Sequence, residues 1–142
     1  MSERADLTET IARMEAALQI LWSGAGSEAV KALCSHEADV SAFLGMGAYE
    51  QGWEEVSRRW DWAAGVFRGG SGTFQPISTI ATETLACTTT IERLRVQVAG
   101  ADSPTELANR VTQVFRREGE TWRLVHRHAS RLEAQTPVSG GK

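Results

Sequence analysis

Leu7, Ile11, Met14, Leu18, Leu21 and Trp22 fall at steps of three and four, which predicts one apolar stripe on a helix of about 20 residues. Gly24 and Gly26 stop it, because glycine tolerates the left-handed turn that ends helices. Ser27 then caps a short second helix through Cys34, with Val30 and Leu33 facing inward. Asp39 to Leu44 reads as a short strand, closed by Gly45-Met46-Gly47. After Gly52 the spacing is helical again, at Trp53, Val56, Trp60, Ala63, Ala64 and Phe67, with Glu54 and Glu55 placed to suit the helix dipole. At about 100° per residue Trp62 points almost opposite to Trp60, with Val66 one turn on, so this helix needs apolar partners on two sides. Gly69-Gly70-Ser71-Gly72 is expected to end it.

From Thr73 to Leu132 the chain is rich in Thr, Ile and Val and reads as strands, punctuated by Gly100-Ala101-Asp102-Ser103-Pro104 and by Gly119. Pro76 suits a strand start or an edge. Helices followed by a meander of long strands predict an α+β fold, an antiparallel sheet curled around the helices. A length of 142 residues fits one domain with a real core, placed at 1–132, with a disordered tail from Glu133 to Lys142.

Composition narrows the function classes. Fifteen basic against 18 acidic residues give a net charge of −3, so there is no footprint for nucleic acid. No apolar run suits a secretory signal or a membrane span, so the expected setting is cytoplasmic and away from the membrane. Cys34 and Cys87 form no C-x-x-C pair and read as reduced, packed thiols. No glycine-rich loop follows a strand at nucleotide-binding spacing.

The last hairpin carries most of the chemistry. Strand 107–117 sets Leu107, Val111 and Phe115 on one face. Simple alternation along 122–132 sets Trp122, Leu124, His126, His128 and Ser130 on one face and Arg123, Val125, Arg127, Ala129 and Arg131 on the other. A four-residue loop, Glu118 to Thr121, pairs Arg117 with Trp122, Phe115 with Leu124, Gln113 with His126 and Val111 with His128. A three-residue loop would slip this by one and bring Arg110 opposite His128. The first register is preferred because it gathers apolar residues on one face and Arg110, Arg116, Arg123, Arg127 and Arg131 on the other. His126, His128 and Gln113 are then polar groups on an apolar inner face, where each unpaired group costs about 1–3 kcal/mol. That points to a pocket.

The run Asn109-Arg110-Val111-Thr112-Gln113-Val114-Phe115-Arg116-Arg117-Glu118, followed by Trp122-Arg123-Leu124-Val125-His126-Arg127-His128-Ala129-Ser130, resembles the C-terminal signature of SnoaL-like proteins. These belong to the cone-shaped superfamily of ketosteroid isomerase and nuclear transport factor two. Asp39-Val40, Gly52-Trp53-Glu54-Glu55-Val56, Trp62 and the strand Ala86 to Arg93 resemble the family as well, so the likeness spans about Met14 to Leu132. It implies helices closing a strongly bent sheet, a central pocket between them, and a homodimer. It implies no single activity. The carboxylate base and acidic oxyanion partner of ketosteroid isomerases have no matching positions here, so that chemistry is not carried over.

The candidate catalytic residues are His126 and His128 as proton shuttle and Glu92 as base or orienter. Two imidazoles about 7 Å apart on one strand face could also be structural hydrogen-bonders. A metal would need a third ligand, and His36 sits far off, so no metal is assigned. Glu92 either pairs with Arg110 or another arginine, or serves as a base in the pocket. Trp53, Trp60, Gln113 and Arg110 are the candidate substrate-binding residues, with the tryptophans suited to core and pocket wall alike. Two functions follow. One is an isomerase, cyclase or dehydratase that needs no cofactor and acts on an apolar, carbonyl-bearing small molecule. The other is a non-catalytic ligand-binding or dimerisation module.

Overall fold

The structure is a computed structural model and describes residues 3–45, 49–134 and 137–138. The expected closing turn at Met46-Gly47 and most of the expected tail lie outside the described residues. The fold is α+β. Its elements run α1 (Glu3–Ser23), α2 (Glu28–Ala32), β1 (Ser41–Phe43), β2 (Glu50–Gln51), α3 (Trp53–Val66), β3 (Phe67–Ala81), β4 (Leu85–Val98), β5 (Thr105–Glu118) and β6 (Thr121–Arg131). One curved, unclosed sheet of six strands has the order β2-β1-β6-β5-β4-β3. Four long strands meander antiparallel, and short β1 joins the end parallel to β6.

The stripe read from α1 is the centre of the core: Leu7, Met14, Leu18, Leu21 and Trp22 are all buried. They pack with Val56, Trp60 and Ala63 of α3 and with Leu94, Val96, Phe115 and Leu124 of the sheet. Gly24 takes a positive φ of 90° directly after α1, as the turn requires. α2 is shorter than its spacing suggested, and Ser27 makes no capping bond. Its hydroxyl donates instead to Asp61 at 2.6 Å, tying α2 to α3.

The glycine run corrects the expected end of α3. That helix stops at Val66, and Phe67 already begins β3, so Gly69 to Gly72 lie inside a strand. Close approach explains Gly70 and Gly72. A Cβ on Gly70 would sit 2.6 Å from Val96 Cγ2 and 2.8 Å from the Trp22 carbonyl oxygen, and one on Gly72 would lie 2.8 Å from the Trp22 ring. Gln19 of α1 locks the approach, donating to the Gly72 carbonyl at 2.7 Å and accepting from the Gly72 amide at 2.9 Å. The missing side chains let helix backbone and strand backbone meet.

The last hairpin starts in the expected register and then leaves it. Arg117 pairs with Trp122 and Phe115 with Leu124, but the next pair is Val114 with His126. Val125 is therefore an extra residue on β6, a β-bulge. Beyond it Gln113 faces Arg127, Thr112 faces His128 and Val111 faces Ala129. The expected positions of His126 and His128 on the inner face are corrected. One inserted residue turns both histidines outward and brings Arg127, Ala129 and Arg131 inward. The bulge has a visible anchor: the Leu124 amide donates to the Leu33 carbonyl, and the Leu124 carbonyl accepts from the Ser35 amide, both at 2.9 Å.

Candidate functional site

A cleft of about 430 Å³ opens between α1, α3 and the inner face of the sheet. Leu18, Leu21, Trp22, Trp60, Leu94 and Leu107 supply apolar wall, and Trp62 and Val66 reach it from the second side of α3. That answers the sequence requirement for partners on two sides of this helix. Trp62 stays 44% exposed, with the Arg59 guanidinium 4.9 Å from its ring centre.

The polar end of the cleft is built by strand register. Glu92 on β4, Asn109 on β5 and Arg131 on β6 form one row across the inner face. Thr88, Gln113 and Arg127 form another row on the same face. Arg127 reaches from its row to Glu92, with Nη2 donating to Oε1 at 2.6 Å and Nη1 to Oε2 at 3.0 Å. The same Nη1 donates to Gln113 Oε1 at 2.9 Å. Glu92 is 1% exposed and Arg127 5%, so this two-pronged ion pair sits inside the core with both carboxylate oxygens satisfied. Both carboxylate oxygens of Glu92 are thereby taken up by the Arg127 guanidinium.

Glu15, on the α1 face beside the sheet, is a carboxyl that spacing did not single out. Burial, and then the charge of Glu92, raise its pKa above the ordinary value. Its position between the buried Met14 and Ala17 on the α1 stripe could have flagged it.

The other candidates fall elsewhere. His126 and His128 lie on the outer face, their ring centres 6.4 Å apart, beside the exposed Phe43. His126 Nδ1 shares a hydrogen bond of 2.7 Å with the Ser41 hydroxyl. Burial, and then the neighbouring His128, lower the pKa of His126. Arg110 is exposed on the outer face and does not approach Glu92. Trp53 stacks on His36 at 3.9 Å and does not line the cleft. Trp60 does line it, while Gln113 is absent from the lining and accepts a hydrogen bond from Arg127. Of the five arginines assigned outward, Arg127 and Arg131 line the cleft. Both cysteines are free, and burial pushes the Cys34 thiol up to about 12, which makes it inert.

With this geometry in place, the profile of the SnoaL-like domain matches residues 10–134. The chain belongs to the SnoaL-like domain family. Comparison with curated proteins gives no match. Among solved structures, the SnoaL-like chain is similar to a nuclear transport factor 2-like superfamily protein from Salmonella enterica, with TM-score 0.78, 19% identity, and 98% of this chain and 96% of that one covered. It is similar to a candidate dehydratase of the NTF2-like family from Streptomyces avermitilis, with TM-score 0.76, 19% identity and coverage of 92% and 96%. A candidate scytalone dehydratase from Novosphingobium aromaticivorans aligns with TM-score 0.73, 14% identity and coverage of 99% and 95%. Likeness at these identities establishes the fold.

Proposed function

We propose that this SnoaL-like chain holds an apolar, carbonyl-bearing small molecule in the cleft, with the oxygen end directed at Arg127. The observation that carries the reading is the buried Arg127–Glu92 pair at the end of a largely apolar cavity. Two guanidinium nitrogens are used on Glu92 and Gln113, and Arg127 keeps further N–H donors for a ligand oxygen. Apolar walls supply affinity and one or two fixed donors set orientation, the usual division of labour in a small-molecule site. Binding is favoured over histidine catalysis because neither His126 nor His128 lines the cleft.

A catalytic reading, as a cofactor-independent isomerase, cyclase or dehydratase, is supported by one group. Burial, and then the charge of Glu92, raise the pKa of Glu15, the direction a general acid needs, although Glu15 stands outside the cleft lining. We further infer a homodimer through the outer sheet face, where Cys87, Thr89, Ile91, Thr112 and Val114 form an uncharged strip flanked by Arg93 and Arg110.

Titration with the neutral fluorophore N-phenyl-1-naphthylamine tests the binding reading. Its emission should rise on binding, and Leu107→Trp, which fills the cleft without touching a charged group, should weaken binding by about tenfold or more. No binding, or equal binding by Leu107→Trp, would overturn the reading.

A further inference from the structure

Arg131 stands in the inner row with Glu92 and Asn109, at the cleft mouth. Its side chain has no hydrogen bond or ion pair among the described residues, and neither does the Asn109 amide. The charged side chains lining the cleft are Glu92, Arg127 and Arg131. Glu92 is matched by Arg127, which leaves one positive charge, that of Arg131, facing an apolar cavity. An exposed guanidinium without an acidic partner, at the mouth of a cleft lined mainly by apolar residues, suits an anion, since its planar fork fits a carboxylate in a two-pronged pair.

We propose that the occupant of the cleft is an apolar monoanion, a carboxylate on a hydrophobic body, with Arg131 as its anchor and Asn109 as a second donor. The inference rests on the cleft being a ligand site and adds the charge of the ligand and the residues that select it. The apolar body lies against Trp60 and Leu94 with its carbonyl oxygen toward Arg127, and a separate carboxylate meets Arg131 at the mouth, where desolvation of both ions is partial. Glu15 does not line the cleft and so is not among the charges that face its occupant.

The test compares two probes of matched shape, 1-naphthylacetate and its neutral amide, 1-naphthylacetamide, each displacing N-phenyl-1-naphthylamine from the full chain. The carboxylate should bind about tenfold tighter than the amide, the scale of one charge-assisted pair. That preference should shrink as salt is raised. Arg131→Gln should remove the preference while leaving amide affinity within about twofold of the parent. Asn109→Ala should reduce it by a smaller factor. Equal binding of the two probes, with the fluorophore still bound, would overturn the anionic ligand and leave the cleft as a neutral site. A preference that survives Arg131→Gln would overturn the role of Arg131. If the fluorophore itself does not bind, both the cleft reading and this inference fail.

Discussion

The two faces of β6 carry three residues in a row, His126, Arg127 and His128, and treat them in opposite ways. Arg127 is buried against Glu92 and Gln113 at the floor of the cleft. The histidines stand on the far side among Ser41 and Phe43. Chemistry that looks continuous in the chain is divided by the sheet, and the division is set by one bulged residue, Val125. Residue type names what a site could do, but strand phase decides which compartment does it.

The largest effects should come from the inner face. Arg127→Leu leaves the Glu92 carboxylate buried without a partner and should lower stability by about 3–5 kcal/mol in urea denaturation. Replacing both, Glu92→Leu with Arg127→Leu, should recover much of the loss, because no uncompensated charge is then buried. Equal stability of the single variant and the parent would break the comparison.

Gly70→Ala should come next. The new methyl meets Val96 and the Trp22 carbonyl at under 3 Å, and overpacking of this kind costs about 1–3 kcal/mol. Gly65, on the exposed side of α3 with open space around it, should behave in the reverse way. Gly65→Ala there should stabilise by about 0.5–1 kcal/mol.

On the outer face His128→Ala should change stability by no more than about 0.5 kcal/mol and leave cleft affinity unaltered, since the side chain is exposed. The smallest effect is that of pH. The folded pKa of His126 is lowered, so the unfolded chain takes up the proton first as pH falls, and stability rises with pH across that interval. Stability should therefore decline as pH falls through the ordinary histidine range near 6.5. His126→Asn should flatten that slope in thermal melts taken at several pH values.

Much of the fold was legible because its largest elements obey a single period. The α1 stripe at Leu7, Met14, Leu18 and Leu21, and the register at the Glu118–Thr121 turn, came from spacing alone. Two features were not legible for one physical reason, a local exception to that period. Glycines in β3 look like a helix stop until α1 is seen lying on them. The bulge at Val125 has no glycine to announce it. Its available signal was the apolar pair Leu124-Val125, which breaks strict alternation, together with Ala129, a residue suited to the inner face. The buried Glu92 also required a cation on that face, and Arg127 is the one that the bulge delivers.

The central claim is that Arg127, and not the histidine pair, meets the ligand. The most direct measurement is a ¹H–¹⁵N NMR titration of the protein with the neutral ketone 1-acetonaphthone, following the Arg127 Nε–H, the Trp60 indole N–H and the imidazoles of His126 and His128. The Arg127 and Trp60 signals should shift with saturation while both imidazoles stay where they are. Imidazole signals that move with saturation while Arg127 stays fixed would place the ligand on the outer face beside the histidines and contradict the account.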